Sequence, residues 1–360
     1  MEPTLYRRPL PVESIAFSST EGRKTFAEAL AAGGLDGYFP LAEQFHTQAE
    51  PAYCGLGSLV VALNALAIDP GRLWKGPWRW FSEDLLDCCV PLEEVRARGL
   101  DLDEVACLAR CNGAAAELQR ADAGGLAAWR EALGAAARGE AVLIASYDRA
   151  ALGQTGHGHF SPIGGYHAGR DLALVLDVAR FKYPPHWVSA TRLFEAMFPV
   201  DAVTGKSRGW ILLRPRERGA ALGFSLQCYG DSWRGLADRL GKAVADLDAA
   251  ADIGALARAV APLFSHLEVR TPSAEAHREA LERARSALRA LPLWSHVVAV
   301  VGSERAEVVS LLLLSMAERL SPAQREELAL LGGSAVTDGP LASELQNLGA
   351  QLAAVLSLSR

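Results

Sequence analysis

The sequence changes character near residue 218. Before that point, short runs of β-branched and large apolar residues alternate with Gly, Pro and aromatic residues, whereas the remainder is rich in Ala, Leu, Glu and Arg at helical spacing. This pattern predicts an α+β domain over residues 1–217 and a mostly helical C-terminal domain over residues 218–360, joined by a linker at residues 214–220. The role of the C-terminal part does not follow from its residues.

Helical signals precede strand signals within the first domain. A capped helix is predicted from Thr20 to Ala32, and an amphipathic helix from Cys54 to Ala67. Strands are predicted at residues 141–147, 158–166, 172–178 and 209–214. The C-terminal part carries helical patterns near residues 232–251, 274–290, 306–320, 322–331 and 340–357, and one β-like run at residues 296–301. The first domain is therefore expected to have a helical half followed by a half built of antiparallel sheet.

Composition excludes several function classes. The 360 residues include 36 Lys plus Arg and 42 Asp plus Glu, a net charge of -6, so no broad basic face for nucleic acid is expected. The N-terminus lacks the apolar stretch of a signal peptide, and no apolar run approaches the roughly 20 residues of a spanning helix. Six cysteines are too few for a disulfide scaffold. We expect a soluble, cytoplasmic protein that binds no membrane.

Cys54 is the candidate nucleophile, because it lies in the first turn of a predicted helix. Unpaired backbone N–H groups and the positive end of the helix dipole favour a thiolate there. Gln48, six residues upstream in an extended segment, would place its amide beside the thiol and form an oxyanion hole with the Cys54 backbone N–H. The alternatives are a small buried cysteine and a surface glutamine.

A predicted hairpin supplies the base. If Tyr166 faces Arg170 across a short loop, the same register places His159 opposite Asp177. A carboxylate next to an imidazole fixes its tautomer, which is the general arrangement that activates a thiol. The alternative is a structural surface pair, but a carboxylate within an apolar strand is costly without a partner.

Four segments carry a resemblance to a known family: HTQAEPAYCGLGSLVVALNAL, KGPWRWFSEDLLDCC, LGQTGHGHFSPIGGYH and LVLDVARFKYPPHW. Over roughly residues 4–215 the chain resembles the phytochelatin synthase family of the papain-like superfamily. The resemblance implies a papain-like fold in which Cys54 is acylated, His159 is its base, Asp177 is the orienting acid and Gln48 is the oxyanion-hole donor.

The resemblance also implies a reaction. A γ-glutamylcysteinyl unit passes from glutathione, through a Cys54 thioester with release of glycine, to a second glutathione or a growing phytochelatin peptide. The alternative is a peptidase that removes glycine from glutathione or its S-conjugates. The family's acceptor contacts correspond to Tyr53, Arg149 and Lys182, with Arg180 nearby. Ordinary solvated side chains remain the alternative for these cations.

No organic cofactor is implied by the family. A heavy-metal ion, Cd²⁺ or Zn²⁺, is expected to act as activator by arriving as the metal–glutathione thiolate substrate. Two thiol pairs, Cys88 with Cys89 and Cys107 with Cys111, are weak candidates for metal ligands, because no His or carboxylate completes either set. Packing inside helices is the favoured interpretation.

The C-terminal part departs from plant and yeast members of the family, which are cysteine-rich there, since only Cys228 lies beyond residue 218. Metal sensing by clustered C-terminal thiols is therefore not expected. The oligomeric state stays open, with a homodimer as one candidate. The cluster of Trp74, Trp78 and Trp80 is interpreted as closing a core.

Overall fold

A mixed arrangement of helices and one antiparallel sheet is seen in the computed structural model, which describes residues 7–70, 73–87, 90–215, 224, 233–245, 252–264, 275–332, 336 and 339–356. The strands are β1 Ile15–Ala16, β2 Ala114–Arg120, β3 Val142–Asp148, β4 Gly158–His167, β5 Leu172–Val175, β6 His186–Ser189 and β7 Gly209–Pro215. The helices up to β7 are α1 Thr20–Ala31, α2 Tyr38–Gln44, α3 Cys54–Ala65, α4 Leu92–Arg98, α5 Leu102–Cys111, α6 Ala121–Ala137 and α7 Ala190–Glu195.

The helices after β7 are α8 Trp233–Ala245, α9 Ile253–Val260, α10 Glu275–Ala290, α11 Pro292–Val301, α12 Ser303–Ser315, α13 Pro322–Leu330 and α14 Gly339–Leu356. The α+β class and the helical C-terminal region are thus confirmed. None of the helices in the described ranges combines the length and the apolarity that a bilayer crossing requires.

The described strands form one sheet in the order β1-β6-β5-β4-β3-β7-β2, and every neighbouring pair is antiparallel. Alternate residues of each strand face opposite sides. On β3, Ile144 joins the core shared with α3 and α5, whereas Leu143 and Ala145 join a second core beneath α6 and α7. The sheet therefore lies between two helical layers, and α3 packs directly on β4 and β3.

Local sequence explains where several helices begin. The Ser19 hydroxyl accepts a hydrogen bond from the Gly22 backbone N–H and caps α1. A reciprocal capping box of Asp101 and Glu104 starts α5. Helices α1 and α3 match the two predicted in this region, each ending within two residues of the expected position.

The predicted register of the hairpin between β4 and β5 is wrong. Tyr166 pairs with Ala173, not with Arg170, because β4 continues to His167 and the turn is a 3₁₀ turn over residues 168–170. The register also shifts between Ile163 and Gly165. Asp177 lies two residues beyond the end of β5, so it is not opposite His159 in the sheet.

The C-terminal helices share one continuous apolar core with α3 and α5, and α14 packs against α5. The β-like structure predicted for residues 296–301 is wrong. These residues form the second half of α11, a helix with Pro292 in its first turn. Helix α9 was not predicted. The expected domain boundary between residues 217 and 218 lies outside the described residues.

The tryptophan cluster does not close a core. Trp74, Trp78 and Trp80 expose 36%, 70% and 41% of their surface. They flank a tight turn in which Lys75 pairs with Trp78 and its ammonium lies 4.7 Å from the centre of the Trp74 ring. The core interpretation is therefore wrong, because the turn projects these rings outward.

Candidate active site

Cys54 is the first residue of α3, and its side chain is half-buried where that helix meets the sheet. The next residues of the helix, from Gly55 to Leu63, are all buried because α3 lies between β4 and the neighbouring helices α2 and α5. A side chain at Gly57 would lie 3.0 Å from a Glu83 carboxylate oxygen and 3.1 Å from the Cβ of Gln48. Glycine therefore allows the segment before Cys54 to pack onto the first turn of its own helix.

His159 lies on β4 and is held on two sides. Its Nε2 is 2.9 Å from Oδ1 of Asp177. The ring of Tyr147, which is its partner across the sheet on β3, contacts it edge to face at a centroid distance of 5.7 Å. Because an ionised carboxylate only accepts hydrogen bonds, Nε2 carries the proton and Nδ1 is left as the basic nitrogen.

Asp177 is fully buried and reaches His159 from a turn rather than from a strand. Its Oδ1 accepts hydrogen bonds from His159, from the Ala179 backbone N–H at 2.9 Å and from the Arg149 guanidinium at 2.9 Å. The Ala179 bond closes a local turn that fixes the carboxylate. The contact between His159 and Asp177 thus forms as expected, although the register that predicted it does not.

The Cys54 thiol lies in the electrostatic environment of this pair. It interacts with the charges of Asp177 and Arg149 and with the backbone of Phe160, the residue after His159. The packing of α3 on β4 therefore brings the nucleophile, the imidazole and the carboxylate to one place, although they come from residues 54, 159 and 177.

Burial decides the charges of the three groups. It raises the pKa of the Cys54 thiol, and the Phe160 backbone and the charge of Arg149 offset this only in part. Burial, aided by Arg149, lowers the pKa of His159 below its ordinary value of 6.5. For Asp177, burial alone would raise the pKa, but His159 and Arg149 hold it well below its ordinary range. Burial thus favours the neutral forms of the thiol and the imidazole and leaves Asp177 as the carboxylate, whereas the position of Cys54 at a helix start favours a thiolate.

A family model described as phytochelatin synthase matches residues 5–210, more than half of the chain. The chain belongs to the phytochelatin synthase family. Residues 54, 159 and 177 all lie within the matched range.

Relatives are found in plants and in yeast. The chain is 52% identical over 236 residues to glutathione gamma-glutamylcysteinyltransferase 1 of Triticum aestivum, a match that covers 65% of this chain and 47% of the relative. It is 49% identical over 235 residues to glutathione gamma-glutamylcysteinyltransferase 3 of Lotus japonicus, covering 65% and 49%. With the glutathione gamma-glutamylcysteinyltransferase of Schizosaccharomyces pombe it is 43% identical over 216 residues, covering 60% and 52%. The chain spans about half the length of these curated relatives.

Gln48 is buried and lies next to Val178, the residue after Asp177, whose carbonyl accepts its backbone N–H. Its side-chain amide donates to the carbonyls of Glu50 at 2.8 Å and Pro51 at 2.9 Å. Both amide hydrogens are therefore occupied in this state. A role in the oxyanion hole requires one of these bonds to be exchanged for a bond to the substrate oxygen.

Arg149 is buried against Asp177 and is not an ordinary solvated cation. It is 3% exposed, its Nη2 lies 2.7 Å from Oδ2 of Asp177, and its Nη1 donates to the Gln154 side chain at 2.6 Å. Its guanidinium also lies over the Tyr183 ring, 5.0 Å from the centroid. The polar contacts of Arg149 thus go to Asp177 and to a glutamine that the sequence analysis did not single out.

The other three expected substrate-binding residues lie in different surroundings. The hydroxyl of the buried Tyr53 donates to the Leu92 carbonyl at 3.2 Å. Arg180 is exposed, and its guanidinium lies 4.9 Å from the centre of the Phe45 ring. Lys182 donates to the Thr155 carbonyl at 2.6 Å, in the loop that leads into β4. After Asp177 the chain makes a turn in which the Lys182 backbone N–H donates to the Ala179 carbonyl at 2.7 Å.

The thiols proposed as weak metal ligands do not form a metal site in the part of the chain that the structure describes. Cys107 and Cys111 are buried on α5 within the apolar core. Cys88 and Cys89 lie outside the described residues. Within the described ranges, no group of three or more His, Cys, Asp or Glu side chains is arranged to hold an ion.

Proposed function

We propose that this protein transfers a γ-glutamylcysteinyl unit from glutathione, with release of glycine, to a second glutathione or to a phytochelatin chain. Membership of the phytochelatin synthase family and the names of the plant and yeast relatives support this assignment. The observation that carries it is the 2.9 Å bond between His159 and a buried, ionised Asp177 next to a thiol at a helix start. This arrangement is suited to forming and resolving a thioester.

The first half-reaction releases glycine. The Cys54 sulfur bonds to the carbonyl carbon of the Cys–Gly peptide while its proton moves to Nδ1 of His159. The negative oxygen of the tetrahedral intermediate is stabilised by the Cys54 backbone N–H, with the Gln48 amide as the second donor. When the C–N bond breaks, the proton on Nδ1 passes to the leaving glycine nitrogen, and a γ-glutamylcysteinyl thioester remains on Cys54.

The second half-reaction elongates the peptide. His159 takes a proton from the α-amine of the acceptor as the nitrogen attacks the thioester carbonyl. When the C–S bond breaks, this proton passes from Nδ1 to the departing Cys54 sulfur, which restores the thiol. The acceptor is an anionic peptide, so the cations Lys182 and Arg180 beside the turn after Asp177 are proposed to bind its carboxylates. A Cd²⁺ or Zn²⁺ bis-glutathionate is proposed as the favoured acceptor, because soft metals bind thiolates and leave the amine free.

The proposed organisation is a papain-like catalytic domain over residues 1–217 and a helical domain over residues 218–360. A nucleophile at the start of a helix that packs on an antiparallel sheet carrying the base supports the papain-like fold. We further propose that the protein acts in the cytoplasm on glutathione and phytochelatin peptides. A homodimer is the proposed assembly, to be tested by sedimentation.

The test is product analysis by mass spectrometry after incubation of the full chain with glutathione, with and without CdCl₂. We expect glycine, phytochelatin peptides and a Cys54 adduct carrying one γ-glutamylcysteinyl group, and none of these from Cys54→Ser. Accumulation of γ-Glu-Cys alone would show hydrolysis instead of transfer. Absence of released glycine would overturn the proposal altogether.

A further inference from the structure

A chain of buried polar side chains continues from Asp177 on the side away from His159. Arg149 bonds to Asp177, the Gln154 Oε1 accepts from Arg149 Nη1 at 2.6 Å, and the Gln154 Nε2 lies 3.1 Å from Nε2 of His186. The chain ends where Nδ1 of His186 lies 2.9 Å from the Pro184 carbonyl. All four charged or polar side chains from Asp177 to His186 are at most 5% exposed.

Only one placement of hydrogens satisfies this chain. The Pro184 carbonyl can only accept, so Nδ1 of His186 carries the proton and its Nε2 must accept. Gln154 therefore presents its NH₂ group to His186, which leaves its carbonyl oxygen facing Arg149. The glutamine cannot be flipped without placing NH₂ against a guanidinium and a carbonyl against an imidazole lone pair. The tautomer of His186 thus fixes the orientation of the Gln154 amide, so that its carbonyl oxygen and not its NH₂ group faces Arg149.

We propose that Gln154 and His186 are positioning residues that act through Arg149, holding its guanidinium on Asp177 so that the carboxylate stays ionised and aimed at Nε2 of His159. This role rests on the proposed function. It connects the base to the loop before β4, which contains Gln154, and to β6, which begins with His186. Neither residue touches the reacting atoms in the mechanism above.

The physical need for such a chain follows from burial. A guanidinium that is removed from water must bond to acceptors, because an unpaired buried donor costs about 1–3 kcal/mol and more when charged. Asp177 satisfies one side of Arg149, and Gln154 satisfies the other. Without Gln154, the guanidinium would gain by rotating toward water or another carbonyl, and Asp177 would lose its fixed counter-charge.

The groups that face His159 determine how this change would appear. They are Asp177, Arg149, Lys182 and Tyr147, and the Cys54 thiol interacts in turn with Asp177 and Arg149. Arg149 lowers the pKa of His159, and Asp177 raises it. If Arg149 moves away, both its own effect and its neutralisation of Asp177 weaken, so the pKa of His159 rises.

The experiment compares Gln154→Leu, Gln154→Glu and His186→Phe with the conservative His186→Gln, whose side-chain oxygen can accept from Gln154 in place of the ring nitrogen. His167→Gln, at the far end of β4, is the matched control. For glycine release we expect kcat to fall about 10–100-fold in Gln154→Leu and His186→Phe with KM changed less than about threefold, and to fall less in Gln154→Glu, which keeps an acceptor for Arg149. His186→Gln should recover most of this loss. The acid limb of kcat/KM should move about 1 pH unit upward in Gln154→Leu.

A second measurement does not require glutathione. The rate at which iodoacetamide alkylates Cys54, followed at the peptide level against pH, should rise at a higher pH in Gln154→Leu, because the charge of Arg149 lowers the pKa of the thiol and this effect weakens when the guanidinium moves away. A protein that releases no glycine but shows this shift would refute the proposed function and support the positioning role. If the variants lower only the melting temperature, with kcat and both pH profiles unchanged, Gln154 and His186 merely fill space and the proposal is wrong. If His186→Phe does not fold, the two Gln154 variants decide.

Discussion

The buried ion pair of Asp177 and Arg149 leads to the most demanding prediction. Replacing Asp177 by Asn keeps the size and an oxygen acceptor but removes the negative charge. At the observed 2.7 Å, and with an effective dielectric constant of about 20, the lost attraction is about 6 kcal/mol before the desolvation of both ions is subtracted. Because Arg149 then remains buried without a counter-charge, Asp177→Asn is expected to destabilise the protein by about 3–5 kcal/mol.

A double-mutant cycle isolates the pair. Removing the cation as well, in Asp177→Asn with Arg149→Met, should cost less than the sum of the single changes by about 1–3 kcal/mol. The control is Asp171→Asn, which weakens the more exposed pair between Asp171 and Arg130, 2.8 Å long, and should cost clearly less than Asp177→Asn. Urea unfolding at pH 7, followed by tryptophan fluorescence, gives the midpoints and slopes. Additivity within about 0.5 kcal/mol would refute the coupling.

The same pair predicts a pH dependence of stability. The pKa of Asp177 is lowered in the folded protein, while the ordinary value of an unfolded aspartate is about 3.9. Its contribution is therefore present above about pH 4 and is lost as the pH falls below that value toward the folded pKa. The stability difference between wild type and Asp177→Asn should shrink on acidification below pH 4. An unchanged difference would mean that Asp177 is not held ionised.

Three other predictions concern the thiol site. Gln48→Ala should lower kcat for glycine release about 100- to 1,000-fold with little change in KM if its amide joins the oxyanion hole, whereas a purely structural role would show mainly in thermal unfolding. Alkylation of Cys54 by iodoacetamide should rise steeply with pH toward the alkaline range, because burial raises the pKa of the thiol and lowers that of His159; a flat profile from pH 5 to 8 would indicate a preformed thiolate–imidazolium pair. Gly164→Ala should destabilise the protein by about 1–3 kcal/mol, as judged by urea unfolding, because its methyl group would lie 2.9–3.1 Å from the side chain of Leu176; no loss would mean that Leu176 repacks freely.

The sequence predicted the contact between His159 and Asp177 for a reason that the structure only partly supports. Strand alternation indicated that the two side chains share a neighbourhood, but the register assumed an uninterrupted hairpin. The irregularity between Ile163 and Gly165, and the departure of the chain from the sheet after Val175, depend on packing against other elements. Gly164 and Gly165 in the pattern GHFSPIGGYH lie at this break, and glycines inside a strand often mark a bulge, but the pattern does not give the register that results.

Two other differences between the predicted and the observed structure also arise from packing that the local sequence does not show. The valines of residues 296–301 favour a strand when considered alone, but the run follows Pro292 and packs among helices, so its context overrides the local propensity. Arg149 was expected among solvated or substrate-binding cations, since a sequence does not show whether an arginine is exposed. Its burial follows from the position of Asp177, which only the folded chain provides. A glutamine and a histidine in the LGQTG and PPHW segments carried no signal of their own.

The buried environment affects the three reacting groups in different directions, and this determines the form of the chemistry. Cys54 and His159 are both driven toward their neutral forms, so attack requires one proton to move from sulfur to Nδ1. The imidazolium that results is stabilised by Asp177 at 2.9 Å and opposed by Arg149. Arg149 therefore has two opposing effects, because it keeps Asp177 ionised and also disfavours the charged imidazole. The balance of these two effects depends on where the guanidinium lies. The hydrogen bond from Arg149 to Gln154 therefore affects the reaction, although neither residue contacts the reacting atoms.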